Sequence, residues 1–452
     1  MSVSLFQKYN VAGPRYTSYP PVPFWHHIPS EEEWKKSILE TFRETNDSEG
    51  ISLYLHLPFC ESLCTFCGCN KRITKNHKVE DPYIDALLQE WALYQSWFDS
   101  PPVIREIHIG GGTPTFFSPE NLQRLFNTIL ENSKVHDHKA FSFEAHPNNT
   151  TRKHLEILYE AGFNRMSLGV QDFDPKVQKI VNRIQSFEQV QQVTNDAREI
   201  GYHSINFDLI YGLPLQTLAS IEHTMQLVNQ LRPERIAFYS YAHVPWKSPG
   251  QRMFTEADLP NNEEKRALYE LGKEMLEEAG YIEIGMDHFA LPEDELYLAS
   301  KNGTLHRNFM GYTTGQTKLL IGLGASSISD SWGAFIQNEK KVETYKEHCA
   351  AGKLGIINGH LLSASDQIIR KHILNLMTRF STSWHQTAEQ VPVLDQLPEK
   401  LEEMISDGLV ELSAKELKIT RKGIPFVRNV CMALDEYLSQ NEATQTMFSK
   451  TV

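Results

Sequence analysis

The chain has 452 residues, 40% of them hydrophobic and 22% charged, which suffices for a sizeable core and argues against general disorder. Its 44 Lys and Arg residues and 57 Asp and Glu residues give a net charge of -13, which argues against a general binder of nucleic acid or anionic membrane. No charged leader precedes an apolar block, and no apolar run approaches the ~18 residues of a membrane span. We expect a cytoplasmic protein.

Residues 1–36 form a predicted extended N-terminal arm. The first 30 residues contain five prolines, six aromatic residues, Lys8 and Arg15, but no acidic residue. Prolines at this density oppose helices and sheet ladders. We expect the arm to pack as a strap over the main domain, and its aromatic and cationic residues also suit a cover over a flat, anionic ligand.

Strand-like and helix-like segments alternate over residues 37–360, the predicted catalytic domain. Short runs rich in β-branched and aromatic residues predict strands at 51–56, 104–109, 141–145, 164–170, 204–210, 235–240 and 281–286. Apolar residues at helical spacing predict helices at 82–96, 119–131, 153–161, 187–200, 218–231 and 262–278. This alternation predicts a parallel sheet, either barrel-like or doubly wound.

Residues 361–452 form a predicted small C-terminal domain, mostly helical and similar to a winged helix. Helices are predicted at 366–380, 399–407 and 425–438, with a hairpin of strands at 409–412 and 417–420. Winged helices often bind DNA, but acidic residues surround this hairpin and no basic stripe accompanies it. We therefore expect no nucleic-acid partner.

Cysteines cluster directly after the first predicted strand. A disulfide scaffold would need more cysteines with a wider spread, so the cluster indicates a metal site in a reducing compartment. Three thiolates can hold a four-iron cluster and leave one iron open to a small molecule, whereas structural zinc requires four ligands. Cys69 follows too closely to bind without straining the loop, although a zinc site using Cys69 or His56 remains an alternative. Cys349 and Cys431 are expected to be buried and inert. The clustered cysteines are Cys60, Cys64, Cys67 and Cys69.

A glycine-rich segment, Gly110-Gly111-Gly112-Thr113-Pro114-Thr115, ends the second predicted strand. Glycines permit close approach of the backbone, so its amides and carbonyls can bind an amino acid moiety. A tight turn would explain the glycines alone. However, the segment follows the strand next to the cysteine loop, and sites in such barrels lie at the carboxyl ends of strands.

The Cys-x3-Cys-x2-Cys spacing and this glycine segment resemble the radical S-adenosylmethionine (SAM) superfamily. Within it, the chain resembles the oxygen-independent coproporphyrinogen III oxidases (dehydrogenases) of the bacterial HemN type over essentially its whole length. The resemblance implies an α/β fold, a radical SAM partial (β/α) barrel. The most specific stretches are Arg-Tyr-Thr-Ser-Tyr-Pro at 15–20 and Cys67-Gly-Cys69, and others lie at 54–60, 169–173, 208–214, 288–292, 306–314 and 428–432.

The same resemblance implies cofactors and their residues, although it identifies no catalytic residue with certainty. Cys60, Cys64 and Cys67 would bind a [4Fe-4S] cluster, with two SAM molecules beside it. One departure from the family pattern is His146, which follows Glu144-Ala145. Because histidine can be neutral or positively charged, the sequence does not fix the charge next to Glu144. The positions matching the first SAM are Tyr54, Gly111, Glu144 and Ile328, and those matching the second are Phe66, Gly112, Thr113, Gln171, Arg183, Asp208 and Ala242.

The implied reaction is oxidative decarboxylation of the ring A and ring B propionates of coproporphyrinogen III to vinyl groups. A 5′-deoxyadenosyl radical derived from SAM removes a hydrogen from each propionate, which then loses carbon dioxide and one electron. Arg15, Arg183 and Arg307 are candidate partners of the propionates. An unidentified electron donor and acceptor, and a monomeric state, are also implied.

Three alternative functions stay open on the sequence alone. The first is a haem chaperone on the same scaffold, and the second is a radical SAM methyltransferase acting on haem. The third, from a different class, is a zinc-stabilised DNA-binding regulator. The arm and Cys67-Gly-Cys69 favour the dehydrogenase over all three.

Overall fold

A computed structural model describes residues 4–246, 248–440 and 447–451. Residues 1–3 of the predicted arm, and 441–446 and 452 of the predicted C-terminal domain, lie outside the described residues. The strands are β1 (Ile51–Leu57), β2 (Phe59–Cys60), β3 (Arg72–Ile73), β4 (Val103–Gly111), β5 (Lys134–Ala145), β6 (Arg165–Gln171), β7 (Ser204–Tyr211), β8 (Arg235–Ser240), β9 (Ile282–Gly285), β10 (His288–Ala290), β11 (His306–Asn308), β12 (Gly311–Thr313), β13 (Leu320–Leu323), β14 (Ile328–Asp330), β15 (Ala334–Asn338), β16 (Ile356–Leu361), β17 (Ser381–Ser383), β18 (Val410–Leu412) and β19 (Glu416–Ile419). The α-helices are α1 (Leu5–Tyr9), α2 (Glu31–Thr45), α3 (Glu80–Trp97), α4 (Pro119–Glu131), α5 (Arg152–Glu160), α6 (Pro175–Ile180), α7 (Phe187–Ile200), α8 (Leu218–Leu231), α9 (Asn262–Glu278), α10 (Glu295–Asn302), α11 (Val342–Ala350), α12 (Ala364–Arg379), α13 (Leu397–Lys400), α14 (Glu402–Ser406), α15 (Val427–Met432) and α16 (Glu436–Ser439).

A 12-stranded sheet forms the main domain, in the order β16-β15-β14-β13-β1-β4-β5-β6-β7-β8-β10-β9. The strands from β13 to β8 pair in parallel, and antiparallel strands extend both ends. Within the described residues, no hydrogen-bonded pairing joins β16 to β9, so the sheet is a partial barrel rather than a closed one. The predicted fold class is thereby confirmed.

The helices that follow the parallel strands are amphipathic and pack on the outer face of the sheet. In α4, Ser118 caps the first turn, Pro119 occupies the first position, and buried apolar residues recur at helical spacing from Leu122 to Ile129. Helices α4, α7, α8 and α9 have the bounds predicted from periodicity. Within the described ranges, no helix has the length and apolar character required to cross a bilayer.

Both edges of the sheet differ from the predicted strand–helix alternation. The segment predicted at 281–286 forms β9, but a turn containing Met286 (φ 48°) returns the chain as an antiparallel hairpin. No crossover helix intervenes because the connection is too short for one. Strands β13 to β16 were not predicted. β13 to β15 have only three to five residues each, and polar residues and Gly359 interrupt the apolar pattern of β16.

The C-terminal helices and strands partly match the prediction. The predicted hairpin is confirmed as β18 and β19, and β17 adds a third strand. The helix predicted at 399–407 is divided into α13 and α14. The single helix predicted at 425–438 is wrong, because Pro425 lies in a 3₁₀ turn and Asp435 caps a separate short helix.

The N-terminal arm packs on the C-terminal part of the chain. Tyr9, Tyr16 and Tyr19 are buried in the same apolar cluster as helices α12 and α15. Arg428 of α15 donates hydrogen bonds to the carbonyls of Gly13 and Pro14, the latter at 2.9 Å. The arm is therefore a tied strap. It is not wholly extended, because α1 forms ahead of the first proline, and α2 crosses the arm boundary predicted at residue 36.

Candidate active site

A cavity of about 220 Å³ lies inside the partial barrel. Its walls are the inward-facing side chains of the parallel strands, where polar residues occupy alternate positions. An open barrel with polar walls provides a space for a polar ligand, whereas a closed barrel of this kind is filled by side chains. The lining residues are Glu106, Ile107, His108, Ala140, Ser142, Glu144, Arg165, Met166, Ser167, Ser204, Asn206, Asp208, Arg235, Tyr239, His288, Leu296, Met310, Tyr312 and Thr313.

The cysteine loop follows β1 at the carboxyl end of the sheet. Its two ends are joined by the short parallel pair β2 and β3, in which Phe59 pairs with Arg72. All of its cysteines are free thiols, and Cys60, Cys64 and Cys67 are partly exposed. The loop is fixed to the segment after α6, because Thr65 N donates to Val181 O at 3.0 Å.

Polar groups from the segments after β4 and α6 lie close to the sulfur atoms. Thr113 Oγ1 lies 3.4 Å from Cys60 Sγ, and an Arg183 guanidinium nitrogen lies 3.6 Å from Cys64 Sγ. A hydrogen bond with Cys69 lowers the pKa of the Cys67 thiol. Such donors stabilise thiolates, which are the form that binds metal.

The donor set of the cysteine loop fits an iron–sulfur cluster. Within the described residues, no three His, Cys, Asp or Glu side chains already lie in an arrangement that could hold a single metal ion. Three free thiols on one loop suit a soft thiophilic centre. Cys60, Cys64 and Cys67 stay the predicted ligands, and Cys69 stays a predicted non-ligand. Cys349 and Cys431 are buried, as predicted.

The glycine segment holds the end of β4 against the cysteine loop. Gly112 N donates to Leu57 O at 2.7 Å, and Thr113 N donates to Phe59 O at 2.9 Å. A Cβ atom on Gly112 would lie 2.6 Å from the carbonyl carbon of Pro58, and Gly111 has a φ of +112°. Glycine is thus required here by close backbone approach and by a left-handed conformation.

Tyr54, predicted for the first SAM, belongs to a chain of polar side chains beside Glu144. The Tyr54 hydroxyl lies 3.0 Å from His56 Nδ1, and its ring stacks on His108. His108 Nε2 lies 3.6 Å from a carboxylate oxygen of Glu144, and its Nδ1 lies 2.9 Å from Ser142 Oγ. Burial raises the pKa of Tyr54 and lowers that of His56, so both are neutral near pH 7.

Asp208, predicted for the second SAM, faces the cavity from β7. Its carboxylate accepts hydrogen bonds from Ser167 Oγ at 2.9 Å and from Asn206 Nδ2 at 2.8 Å. Burial, and then the negative charge of Glu144, raise the pKa of Asp208 to about 6. Glu144 and Asp208 are thus two of the three carboxylate residues that line the cavity, the third being Glu106, and both can accept hydrogen bonds from ligand hydroxyl groups.

The other predicted SAM residues are more dispersed. Gln171 (φ 66°) and Arg183 both approach Gly169 at the end of β6. Phe66 packs in the apolar cluster of Val177 and Tyr241, and Ala242 is exposed after β8. Ile328, in β14, packs in the cluster of Trp25 and Phe335. Glu144 and Asp208 line the cavity. Gly112, Thr113 and Arg183 contact the cysteine loop, which itself contains Phe66. Ala242 and Ile328 are not among the residues that line the cavity.

Arg15 and Arg307 lie beside the cavity wall. Arg15 pairs with Asp287, whose carbonyl accepts a hydrogen bond from Phe238 of β8. Arg307 is buried, donates to the Arg15 carbonyl at 3.3 Å, and stacks over Tyr312, which lines the cavity. In the described part of the chain Arg307 forms no ion pair, and its Nε has no hydrogen-bond partner.

Two histidines near the site, His146 and His288, are neutral near pH 7. Burial and the neighbouring Arg183 lower the pKa of His146 to about 3, so this departure from the family pattern adds no positive charge to the site near pH 7. Burial and Arg307 likewise lower the pKa of His288 to about 3. The sequence analysis missed His108, Tyr239 and His288, although polar residues at alternate strand positions were a usable signal for His108.

The chain is similar to known proteins in both sequence and structure. Residues 54–228 match the radical SAM superfamily. The whole chain is 37% identical to the oxygen-independent coproporphyrinogen III oxidase of Salmonella typhimurium and 38% identical to that of Escherichia coli K12, and covers 98% of each. The solved structure described as "Coproporphyrinogen III oxidase (HemN) from Escherichia coli is a Radical SAM enzyme" matches with a TM-score of 0.88 and 36% identity. That match covers 94% of this chain and 98% of that one.

Proposed function

The chain belongs to the oxygen-independent coproporphyrinogen III oxidases of the radical SAM superfamily, and we propose the reaction that it performs. It decarboxylates the ring A and ring B propionates of coproporphyrinogen III to vinyl groups, giving protoporphyrinogen IX in haem biosynthesis. The observation that carries this conclusion is full-length similarity, together with a cysteine loop at the carboxyl end of the strands that line a polar cavity. Nothing in these observations favours the haem chaperone, the methyltransferase or the DNA-binding regulator.

Cys60, Cys64 and Cys67 would hold the [4Fe-4S] cluster that the family implies. When bound, the cluster and SAM supply the one-electron chemistry that generates a 5′-deoxyadenosyl radical. The loop contributes three free thiols, and its backbone is fixed by Gly112 and Thr113. The remaining work of the protein is to orient ligands and to exclude water.

Two SAM molecules would bind beside the cluster. We assign Tyr54, Gly111, Glu144 and Ile328 to the first, and Phe66, Gly112, Thr113, Gln171, Arg183, Asp208 and Ala242 to the second. Support comes from Glu144 and Asp208, which both line the cavity and can each accept hydrogen bonds from ribose hydroxyl groups. Arg183 has an unpaired, buried Nε and can bind a carboxylate with two parallel hydrogen bonds.

Arg15 and Arg307 would bind propionates of the substrate. A buried cation is costly without a partner, so Arg307, which lacks an ion pair within the described residues, is suited to receive an anionic group. Arg15 already pairs with Asp287, and an incoming propionate would share or displace that carboxylate. The neutral His288 adds no competing charge at this wall.

The finer points about the protein's setting are proposals as well. We propose a monomeric, cytoplasmic enzyme that requires an external electron donor and a final electron acceptor. Six free thiols agree with a reducing compartment.

Anaerobic turnover tests the function directly. The protein, after cluster reconstitution, is incubated with coproporphyrinogen III, SAM and dithionite, and carbon dioxide, 5′-deoxyadenosine and protoporphyrinogen IX are measured. Cys64→Ser should abolish all three products, while Cys349→Ser, at a buried cysteine in α11, should retain them. Vinyl formation by Cys64→Ser would contradict the cluster assignment.

Equilibrium dialysis tests the second SAM. We expect two SAM molecules per cluster in the wild type and one in Asp208→Asn, because the amide cannot accept hydrogen bonds as a carboxylate does. A single molecule per cluster in the wild type would refute the two-SAM proposal.

A further inference from the structure

Three surface segments surround the cysteine loop, and together we call them the basic rim. They are residues 61–78, which include the loop, residues 175–186 around α6, and residues 244–254 after β8, of which Lys247 lies outside the described residues. Asn182 Nδ2 donates to Leu63 O at 2.7 Å, and Ser248 Oγ lies 3.4 Å from Cys67 O. The three segments are therefore in direct contact around the predicted cluster ligands.

The basic rim exposes apolar side chains to solvent. Of the 14 large hydrophobic residues that are exposed in the described residues, five lie on it. Met253 is 76% exposed, Ile184 is 68% exposed and Trp246 is 52% exposed, and the others are Leu63 and Ile73. Grouped exposed apolar residues surrounded by polar ones mark interaction surfaces.

The charge of the basic rim opposes that of the rest of the protein. Without Lys247, the described residues of the three segments include eight Lys or Arg residues and one acidic residue, Glu61, in a chain of net charge -13. Lys75, Lys78, Lys176 and Lys179 are exposed. The acidic protein therefore has a locally positive surface around the cysteine thiols, next to the cluster that would receive electrons.

These observations favour, as the binding partner of the basic rim, an acidic macromolecule that comes close to the cysteine loop. Electron transfer falls steeply with distance, so a carrier has to dock where the metal centre is nearest the surface. Opposite charges steer diffusional encounter, and a few exposed apolar contacts suffice for a weak, transient complex. A one-electron carrier needs fast binding and fast release, which this combination provides.

We propose that the basic rim is the docking surface for an acidic protein that carries single electrons, such as a flavin or iron–sulfur carrier. This inference rests on the proposed function, because that reaction requires an electron donor. In the step, the reduced carrier would lose one electron, and the cluster that Cys60, Cys64 and Cys67 would hold would gain it. No atom or proton is transferred in this step.

The test compares a charge-reversed rim with a matched control. Lys75→Glu, Lys78→Glu, Lys176→Glu and Lys179→Glu are combined in one variant. The control combines Lys400→Glu, Lys418→Glu, Arg421→Glu and Lys422→Glu, four exposed cations of the C-terminal domain, so both variants change the net charge equally. Each reconstituted holoenzyme is mixed anaerobically with reduced acidic flavodoxin as the probe, and the rate of cluster bleaching is recorded at several salt concentrations.

We expect the rim variant to bleach at least about tenfold more slowly at low salt and to lose most of its salt dependence. The control should behave as the wild type. Met253→Asp should also slow bleaching, since it removes an apolar contact and adds a negative charge. Calorimetric titration with oxidised flavodoxin should show the corresponding loss of affinity.

Chemical reduction separates this inference from the proposed function. With dithionite, which needs no docking surface, the rim variant should bleach and turn over as the wild type does. Equal flavodoxin-driven rates in rim variant and control would overturn the inference, as would an equal slowing with dithionite. Binding of RNA or anionic vesicles through these residues, without a change in flavodoxin-driven bleaching, would also overturn it. Absence of vinyl product from the wild type with dithionite would instead refute the proposed function and leave the bleaching test valid.

Discussion

Gly112→Ala is predicted to disturb the cysteine loop without touching any sulfur ligand. The added Cβ would lie 2.6 Å from the Pro58 carbonyl carbon and 2.7 Å from Phe59 O. Both contacts are with backbone, so relief requires that the end of β4 and the start of the loop separate. Overpacking of this kind costs about 1–3 kcal/mol.

Separation would also weaken two hydrogen bonds, from Gly112 N to Leu57 O and from Thr113 N to Phe59 O. Each contributes about 0.5–1.5 kcal/mol. We therefore expect the free energy of unfolding to fall by about 2–5 kcal/mol. Cys60 should also be displaced relative to Cys64 and Cys67, since it follows Phe59 directly.

The assay measures iron and sulfide after anaerobic reconstitution, together with urea unfolding of the metal-free protein. Gly68→Ala is the matched control, because Gly68 lies in the same loop and a Cβ there would meet nothing within 4 Å. Gly112→Ala should bind substantially less iron than Gly68→Ala. Normal iron content and normal stability in Gly112→Ala would refute the reasoning.

Three further predictions concern the arm, the substrate and a buried carboxyl. Arg307→Met should raise the KM for coproporphyrinogen III about tenfold or more, with partial rescue by Arg307→Lys, and an unchanged KM in steady-state assays would contradict its assignment. Arg428→Met should leave the carbonyls of Gly13 and Pro14 unpaired and lower the free energy of unfolding by about 2–5 kcal/mol, whereas a urea midpoint like that of the wild type would show that the strap is held elsewhere. Burial raises the pKa of Glu90 from 4.5 to about 7. As the pH rises, Glu90 therefore loses its proton in the unfolded chain before it does so in the folded protein. Between pH 4.5 and 7 the free energy of unfolding of the wild type should fall by up to about 3 kcal/mol relative to that of Glu90→Gln. Parallel stability–pH profiles of the two proteins would disprove this.

Local rules predicted the central βα units well, because each helix carries its own periodicity and capping residues. Ser118 before Pro119, and Ser186 three residues before Gln189, mark helix starts that the structure retains. The edges of the sheet were less predictable. Strands such as β14 have only three residues and are stabilised by their neighbours rather than by intrinsic preference.

The arrangement of the candidate site could be predicted where its residues belong to one short sequence motif. It could not be predicted where side chains come together from separate strands. Cys60, Cys64, Cys67 and the glycine segment form one local unit. In contrast, the proximity of Arg15 to Asp287 depends on how the arm packs against the sheet edge, and no short-range pattern encodes it. The polar cavity depends on the sheet staying open, which is likewise a property of the whole barrel.

The central claim is that three thiolates hold a four-iron cluster with one iron open to SAM. Electron paramagnetic resonance of the reconstituted, reduced protein, recorded before and after SAM is added under anaerobic conditions, tests it most directly. The claim predicts a [4Fe-4S] signal that changes shape when SAM binds. A signal unaffected by SAM, or a metal centre that is not a four-iron cluster, would contradict it.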